Sequence, residues 1–292
     1  MNVKSNIFRP VEYCKPTNVV EAIKLLEQYG EKSRAIAGGT DLLVEKDPET
    51  KVLVDITGLG LDYIEPDSKG VRIGATTTFA EIASSSVLDK SPYNILAHAS
   101  RQIGTPQIRN LATIGGNVCN AVPSADSATA LLALDATLTI TNSVGQRSLD
   151  IADFFQDVRK SVLKRNELVT EIQLPTFPAR TATAFIKKGR VATADLAVVN
   201  VAVRVGVADD NICRDVRIAL GAVAPTPLRA KKAEDILKGK KLQEELLRSV
   251  ASQASEEIKP IDDVRSSAGY RVILSGVLVE RALKEAIIRL SA

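Results

Sequence analysis

The stretch Thr113-Ile114-Gly115-Gly116-Asn117-Val118-Cys119-Asn120-Ala121-Val122-Pro123-Ser124-Ala125-Asp126 decides how this chain is read. It is poor in bulky side chains. Its paired glycines tolerate φ > 0 and let another molecule approach the main chain closely. Thr113, Asn117, Asn120 and Ser124 supply short polar groups around them. The apolar run from Ala128 to Leu134 follows directly, which predicts a helix with Ser124 or Asp126 at its N-terminus. Exposed N–H groups, small hydroxyls and a helix start suit a phosphate-bearing ligand. A tight loop that simply needs glycine accounts for the stretch equally well.

A second stretch changes that balance. Ala35-Ile36-Ala37-Gly38-Gly39-Thr40-Asp41-Leu42-Leu43-Val44 reads as a short apolar strand, a Gly-Gly turn with Thr and Asp, and another apolar element. Only Gly38 and Gly39 are present, so it is not G-x-G-x-x-G, and no Gly-Lys-Ser/Thr follows to make a Walker loop. Two Gly-Gly loops on separate segments predict a ligand with a long phosphate-containing chain, clamped from both sides.

The AGGTDL and TIGGN…SAD stretches together resemble the FAD-binding medium subunit of the molybdenum hydroxylases. That group includes bacterial xanthine dehydrogenases, carbon monoxide dehydrogenase and nicotinate dehydrogenase. The resemblance covers nearly the whole chain, continuing through Gly74 to Thr78, Gln107 to Asn110, Ala224 to Arg229 and Tyr270-Arg271. It implies an α+β protein. Residues 1–176 would be a two-part FAD-binding domain of the PCMH/vanillyl-alcohol-oxidase type, with subdomains at about 1–57 and 58–176. Residues 177–292 would be a CO dehydrogenase flavoprotein-like α+β domain, a three-stranded antiparallel sheet plus helices.

The same resemblance implies a cofactor site. FAD would be held over Ile36, Ala37, Gly38, Gly39, Thr40, Asp41 and Leu42, and again by Thr113, Gly115, Gly116, Asn117, Ser124 and Asp126. Backbone amides of both loops would neutralise the diphosphate, with Thr40 and Thr113 adding hydroxyls. Asp126 could accept from ribityl hydroxyls or be a plain helix N-cap, and Asp41 would organise its loop, since like charges repel. Ile103 and Val169 would wall the flavin; some relatives have an aromatic at the Ile103 position. Lys187 aligns with a lysine near the flavin, where a cation favours the reduced anionic ring. Strand alternation sends Lys188 to the opposite face. Arg109 would contact diphosphate or brace its loop. The Ala224–Arg229 motif and Tyr270-Arg271 would be structural, with contact to a partner subunit as the other reading. No catalytic side chain and no metal ligand is implied.

The implied activity is electron transfer. Electrons would pass from the clusters of an iron–sulfur small subunit through FAD to NAD or another acceptor. A molybdopterin-binding large subunit would hydroxylate the substrate, in a heterotrimer that can dimerise. Two other readings remain at this stage: a non-redox nucleotide- or polyphosphate-binding module, and a self-standing FAD-dependent reductase.

Composition fits this frame. The 292 residues are long enough for two cores, and 45% hydrophobic content suits a globular protein. A net charge of +3 is too small to argue for nucleic acid or a membrane surface. No apolar run approaches the roughly 20 residues of a membrane-spanning helix. MNVKSNIFRP has no h-region, so a cytoplasmic protein is expected. Cys14, Cys119 and Cys213 are far apart and form no C-x-x-C, which argues against zinc or iron–sulfur ligation by this chain. His98, the only histidine, reads as packed or surface-exposed, and without a second one no Ser/His/Asp or Cys/His site can be built.

Along the chain, Asn18 with Glu21 resembles a capping box, Gly30 a helix stop, and Thr78-Phe79-Ala80-Glu81 a clean capping box. Strands are predicted at 52–56, 71–74, 137–141 and 168–174, with 65–70 as a turn cluster, and a helix from Pro92 to Gln102. Pro175 and Pro178 mark a boundary. Beyond it come strands at 181–187, 196–205 and 216–220, then helices near 230–238, 241–256 and 267–289. On the last helix Val272, Val279, Leu283, Ala286 and Leu290 form a core stripe, with Gly276 in its gap.

Overall fold

The computed structural model describes residues 8–191, 194–208 and 211–290. The reading of MNVKSNIFRP therefore rests largely on residues 1–7, which lie outside the described residues.

The first layer is a parallel sheet of β1 (Glu12–Cys14), β2 (Ser33–Ile36) and β3 (Val52–Asp55), in the order β1-β3-β2. Helix α1 (Val19–Tyr29) crosses it and buries Ala22, Ile23 and Leu26. The Asn18 side chain caps the Glu21 N–H at 2.9 Å, but the Glu21 carboxylate takes the N–H of Thr17, one residue earlier than a capping box requires. Gly30 ends α1 at φ 51, in the left-handed region that glycine tolerates. The short helix α2 (Leu42–Glu45) follows the first glycine pair.

The second layer is an antiparallel sheet ordered β4-β5-β10-β6-β7, from β4 (Ile64–Asp67), β5 (Gly70–Gly74), β6 (Thr137–Thr141), β7 (Gln146–Asp150) and β10 (Leu168–Pro175). Strand β4 lies inside the expected turn cluster. It accommodates Pro66 because it is an edge strand, where a missing N–H costs no ladder bond. Before β10 come the paired strands β8 (Phe155–Asp157) and β9 (Lys160–Ser161), a hairpin the sequence does not announce.

Between β5 and β6 run five helices: α3 (Phe79–Ser84), α4 (Asn94–Arg101), α5 (Pro106–Arg109), α6 (Ile114–Asn120) and α7 (Asp126–Ala133). Thr78 and Glu81 form the expected capping box on α3. Helix α4 is shorter than expected at both ends, with Ile95, Leu96 and Ala99 buried as read. Helix α6 is a correction: the second glycine pair lies in the first turn of a helix capped by Thr113, not in a loop. The N-cap of α7 is Ala125, not Ser124 or Asp126, and makes no side-chain cap bond. All eight residues of α7 are buried, as an apolar surface all round requires.

The third layer is an antiparallel sheet of β11 (Thr181–Lys188), β12 (Val199–Val207), β13 (Cys213–Gly221) and the two-residue β14 (Leu228–Arg229), which adds a fourth strand to the three expected. Helices α8 (Lys231–Leu237), α9 (Glu244–Glu256) and α10 (Ala268–Leu290) pack on it. On α10, Val279, Leu283 and Ala286 are buried and Val272 and Leu290 partly so, and a Cβ on Gly276 would stand 2.8 Å from Ser255 Oγ of α9. Strand β12 is buried at all nine positions, and its sequence is apolar except for Asn200 and Arg204. These two lie on one face, about 13 Å apart at strand rise. Helix α7 packs on that face and spans about the same length.

Candidate functional site

A cleft of about 800 Å³ opens where the three layers meet. Its walls include Ile36, Ala37, Gly38, Gly39, Thr40, Asp41, Leu42, Ile103, Thr113, Gly115, Gly116, Asn117, Ser124, Asp126, Val169 and Lys187, all named for the implied cofactor site. Arg109 is not among them; it donates to the carbonyls of Ile103 at 2.9 Å and Gly104 at 3.4 Å and so braces its loop.

The two glycine pairs work differently. A Cβ on Gly38 would stand 1.8 Å from the carbonyl oxygen of Leu111, so Gly38 is fixed by close approach, while Gly39 adopts φ 66. Among the described residues the N–H groups of Ala37, Gly38 and Thr40 have no hydrogen-bond partner. All three residues line the cleft. The Asp41 side chain caps nothing, but its carbonyl accepts from Val44 and Glu45 at 2.9 Å. In the second pair, Ile114 N–H donates to Thr77 O, Gly115 N–H to Ala75 O, Gly116 N–H to Thr113 Oγ1 and Asn117 N–H to Thr113 O. These amides are taken up by the protein. The second pair contributes a bare surface: Gly116 is exposed on the cleft wall, and Gly115 has Ala75 O 2.6 Å from its would-be Cβ. The amide cradle expected from both loops is thus built on the first alone.

Asp126 also departs from expectation. It does not cap α7, and both of its carboxylate oxygens are engaged within the protein. One carboxylate oxygen holds Lys187 Nζ at 2.6 Å and the other holds Asn200 Nδ2 at 2.6 Å. Thr129 Oγ1 then donates to Asn200 Oδ1 at 2.8 Å. Lys187 Nζ also donates to the Gln102 carbonyl at 2.9 Å, so the cation lies on the cleft wall at 8% side-chain exposure, while Lys188 faces outward. Burial pushes the Asp126 carboxyl above the ordinary carboxylate range, opposed by Lys187 and Asn200. Asn117 accepts from Ser127 Oγ at 2.6 Å. Cys119 lines the cleft too, but burial pushes its thiol up to about 12, which keeps it protonated and unreactive. His98 is half-buried, and burial pulls its imidazole below the usual value.

Arg229 bonds Glu234 and Asp135, and the buried Arg271 donates to the carbonyls of Val198 and Ala222 and to Asp263. Tyr270 is half-exposed.

Comparison with known proteins decides the family. Residues 8–177 match the FAD binding domain in molybdopterin dehydrogenase, and residues 184–286 match the CO dehydrogenase flavoprotein C-terminal domain. The chain belongs to the FAD-binding medium subunits of the molybdenum hydroxylases. It is 35% identical to the glyceraldehyde dehydrogenase medium chain of Sulfolobus acidocaldarius, over 94% of this chain and 97% of that one. It is 32% identical to the nicotinate dehydrogenase FAD-subunit of Eubacterium barkeri, over 89% and 90%. The fold is similar to carbon monoxide dehydrogenase from Hydrogenophaga pseudoflava lacking the Mo-pyranopterin moiety of its cofactor. The TM-score is 0.91 at 34% identity, covering 96% of this chain and 98% of that one. This medium subunit is an FAD-binding oxidoreductase subunit, and a non-redox nucleotide module is not favoured.

The cleft fits that cofactor on its own evidence. Residues with unpartnered N–H groups line it at the first glycine pair, and Asn120 Nδ2 is buried in its wall with no partner among the described residues. A side chain on Gly116 would intrude on it. Glu45 and Arg159 are wall residues that the sequence does not single out, while Asn120, noted there only as a short polar group, also lines the wall. Asn120 lies one helical turn beyond Gly116, so reading that segment as a helix would have placed both on one face. Arg159, at the tip of the β8–β9 hairpin, has no sequence signal. No helix among the described residues is long and apolar enough to cross a membrane, and none of their His, Cys, Asp and Glu groups could hold a metal.

Proposed function

We propose that this subunit relays electrons in a complex with an iron–sulfur small subunit and a molybdopterin-binding large subunit, in the cytoplasm. When bound, FAD supplies the redox chemistry, receiving electrons from the partner's clusters and yielding them to NAD or another acceptor. The chain's own residues bind, orient and set the local field. The N–H groups of Ala37, Gly38 and Thr40 donate to the diphosphate. Gly115 and Gly116 let the cofactor lie against α6, with Thr113 and Asn117 at its edge. Ile103 and Val169 wall the ring, and Lys187 fixes a cation beside it, held by Asp126. On this reading residues 1–176 form the FAD-binding domain, in two parts at about 1–57 and 58–176, and 177–292 form the second domain.

The observation that carries the reading is the convergence of both glycine pairs, Asp126 and Lys187 on one cleft. The experiment is the visible spectrum of the purified chain after incubation with FAD and desalting. Flavin absorbance should be retained by the wild type and lost in Gly116→Leu, which fills the cleft without entering the core. A chain left colourless even when co-expressed with its partner subunits would overturn the cleft assignment. Hydroxylation of a substrate by the lone chain would overturn the division of labour.

A further inference from the structure

The first glycine pair offers amides to a diphosphate but no formal positive charge. The hairpin tip supplies one. Arg159 sits there at φ 57, and its N–H donates to the carbonyl of Ala121, the residue that ends α6, at 2.9 Å. Its guanidinium bridges α2, which follows the first glycine pair, and α6, which holds the second. Nη1 donates to Glu45 Oε1 at the end of α2, and lies 3.5 Å from Asn120 Oδ1 at the end of α6. All three residues line the cleft. The other cleft arginines, Arg34 and Arg165, pair with Asp47 and Glu31 and bond neither helix.

We propose that Arg159 is a cofactor-binding residue that pairs with the FAD diphosphate, and that Glu45 holds it in the empty cleft and competes for it. The proposal rests on the cleft being the FAD site. A guanidinium fork matches phosphate oxygens in pairs. The Arg159–Glu45 pair is 51% and 38% exposed, and a pair so exposed is weak enough to exchange for a doubly ionised partner. Asn120 Nδ2, buried and unpartnered, stands beside the guanidinium as a second donor. A strap that merely ties α2 to the hairpin would use the same two side chains. The two roles differ in sign at Glu45: loss of a strap residue loosens the cofactor, whereas loss of a competing carboxylate does not.

The test loads the full chain with FAD and follows its release, by recovery of free-flavin fluorescence after dilution, for wild type, Arg159→Gln, Arg159→Lys and Glu45→Gln. Arg159→Gln should release FAD roughly ten- to a hundredfold faster, the range for losing a hydrogen bond to a charged group. Arg159→Lys should recover part of that, and Glu45→Gln should release no faster than wild type. Equal acceleration in Arg159→Gln and Glu45→Gln, or none in Arg159→Gln, overturns the role. If Arg159→Gln does not fold, faster release from Glu45→Gln alone overturns it. A wild-type chain that takes up no FAD overturns the cleft assignment and this role with it. A flavin-bearing wild type beside an unaffected Arg159→Gln overturns this role only.

Discussion

Helix α7 carries an acid at each end, and the two are treated in opposite ways. Asp126, in its first turn, meets one lysine and one asparagine at the cleft. Asp135, just past its last turn at φ 47, meets three arginines. They are Arg204 at 2.7 Å, Arg217 at 2.9 Å and Arg229 at 3.1 Å, from the three adjacent strands β12, β13 and β14. Arg204 also stacks on the Phe177 ring at 4.5 Å, which shelters guanidinium nitrogens that have no hydrogen-bond partner among the described residues. An acid at a helix N-terminus is favoured by the helix dipole and an acid at the C-terminus is not. The cleft end therefore needs only one cation, while the far end needs a cluster. Asp215 also joins Arg204 and Arg217, and Glu234 joins Arg229, so a network of three acids and three arginines locks the far end, whereas a single pair leaves the cleft end adjustable.

The largest expected effect tests the lock. Asp135→Asn removes the one carboxylate shared by all three arginines, leaving Asp215 to Arg204 and Arg217 and Glu234 to Arg229, and should cost roughly 2 kcal/mol, discounted from a fully buried pair because Asp135 is partly exposed. Urea unfolding checks this, and a loss within about 0.5 kcal/mol would remove the contrast. Release of FAD should be unaltered.

Titration sharpens the same comparison. Burial acts to raise the Asp135 carboxyl, but hydrogen bonds and charge from Arg217 and Arg204 outweigh it and hold the group below the ordinary range. The unfolded state then binds more protons, so its contribution is present above about pH 4 and is lost as pH falls through the folded value. Asp126 is shifted upward, so the folded state binds more protons and its contribution declines as pH rises above about 4. The penalty of Asp135→Asn should therefore grow from acid to neutral pH while that of Asp126→Asn shrinks. Parallel slopes in unfolding experiments across that range would contradict the contrast.

Two cleft substitutions should move the flavin potential in opposite directions. Lys187→Gln removes a cation and lowers it; Asp126→Asn removes the opposing anion and raises it, each by tens of millivolts on the scale where about 30–60 mV is a tenfold change. Spectroelectrochemistry of the loaded complex measures both, and shifts of the same sign would show that Lys187 and Asp126 do not face the ring. The smallest effect is Thr129→Val, which strips a buried hydrogen bond from Asn200. It should cost about 1 kcal/mol, with a melting point lower by a few degrees and the potential unchanged.

What was legible in the sequence follows the same division. The first glycine pair, the capping box at Thr78 and the strands of the third layer are local signals, and the structure places them close to where they are read. Helix α6 was not legible, because two glycines argue against a helix and only the carbonyls of Ala75 and Thr77, supplied by tertiary packing, hold its first turn. The partners of Asp126 are not legible for a related reason: Lys187 and Asn200 lie 61 and 74 positions away, and no spacing rule connects them. Arg159 adopts a left-handed conformation without the glycine or asparagine that would announce it.

Strand β10 pairs with β5 on one side and β6 on the other. A nascent chain that has not yet reached Leu168 carries two half-sheets with open, facing edges and nothing between them. Unpaired edges of this kind invite pairing with other chains. The eight-residue strand β10 closes both edges at once.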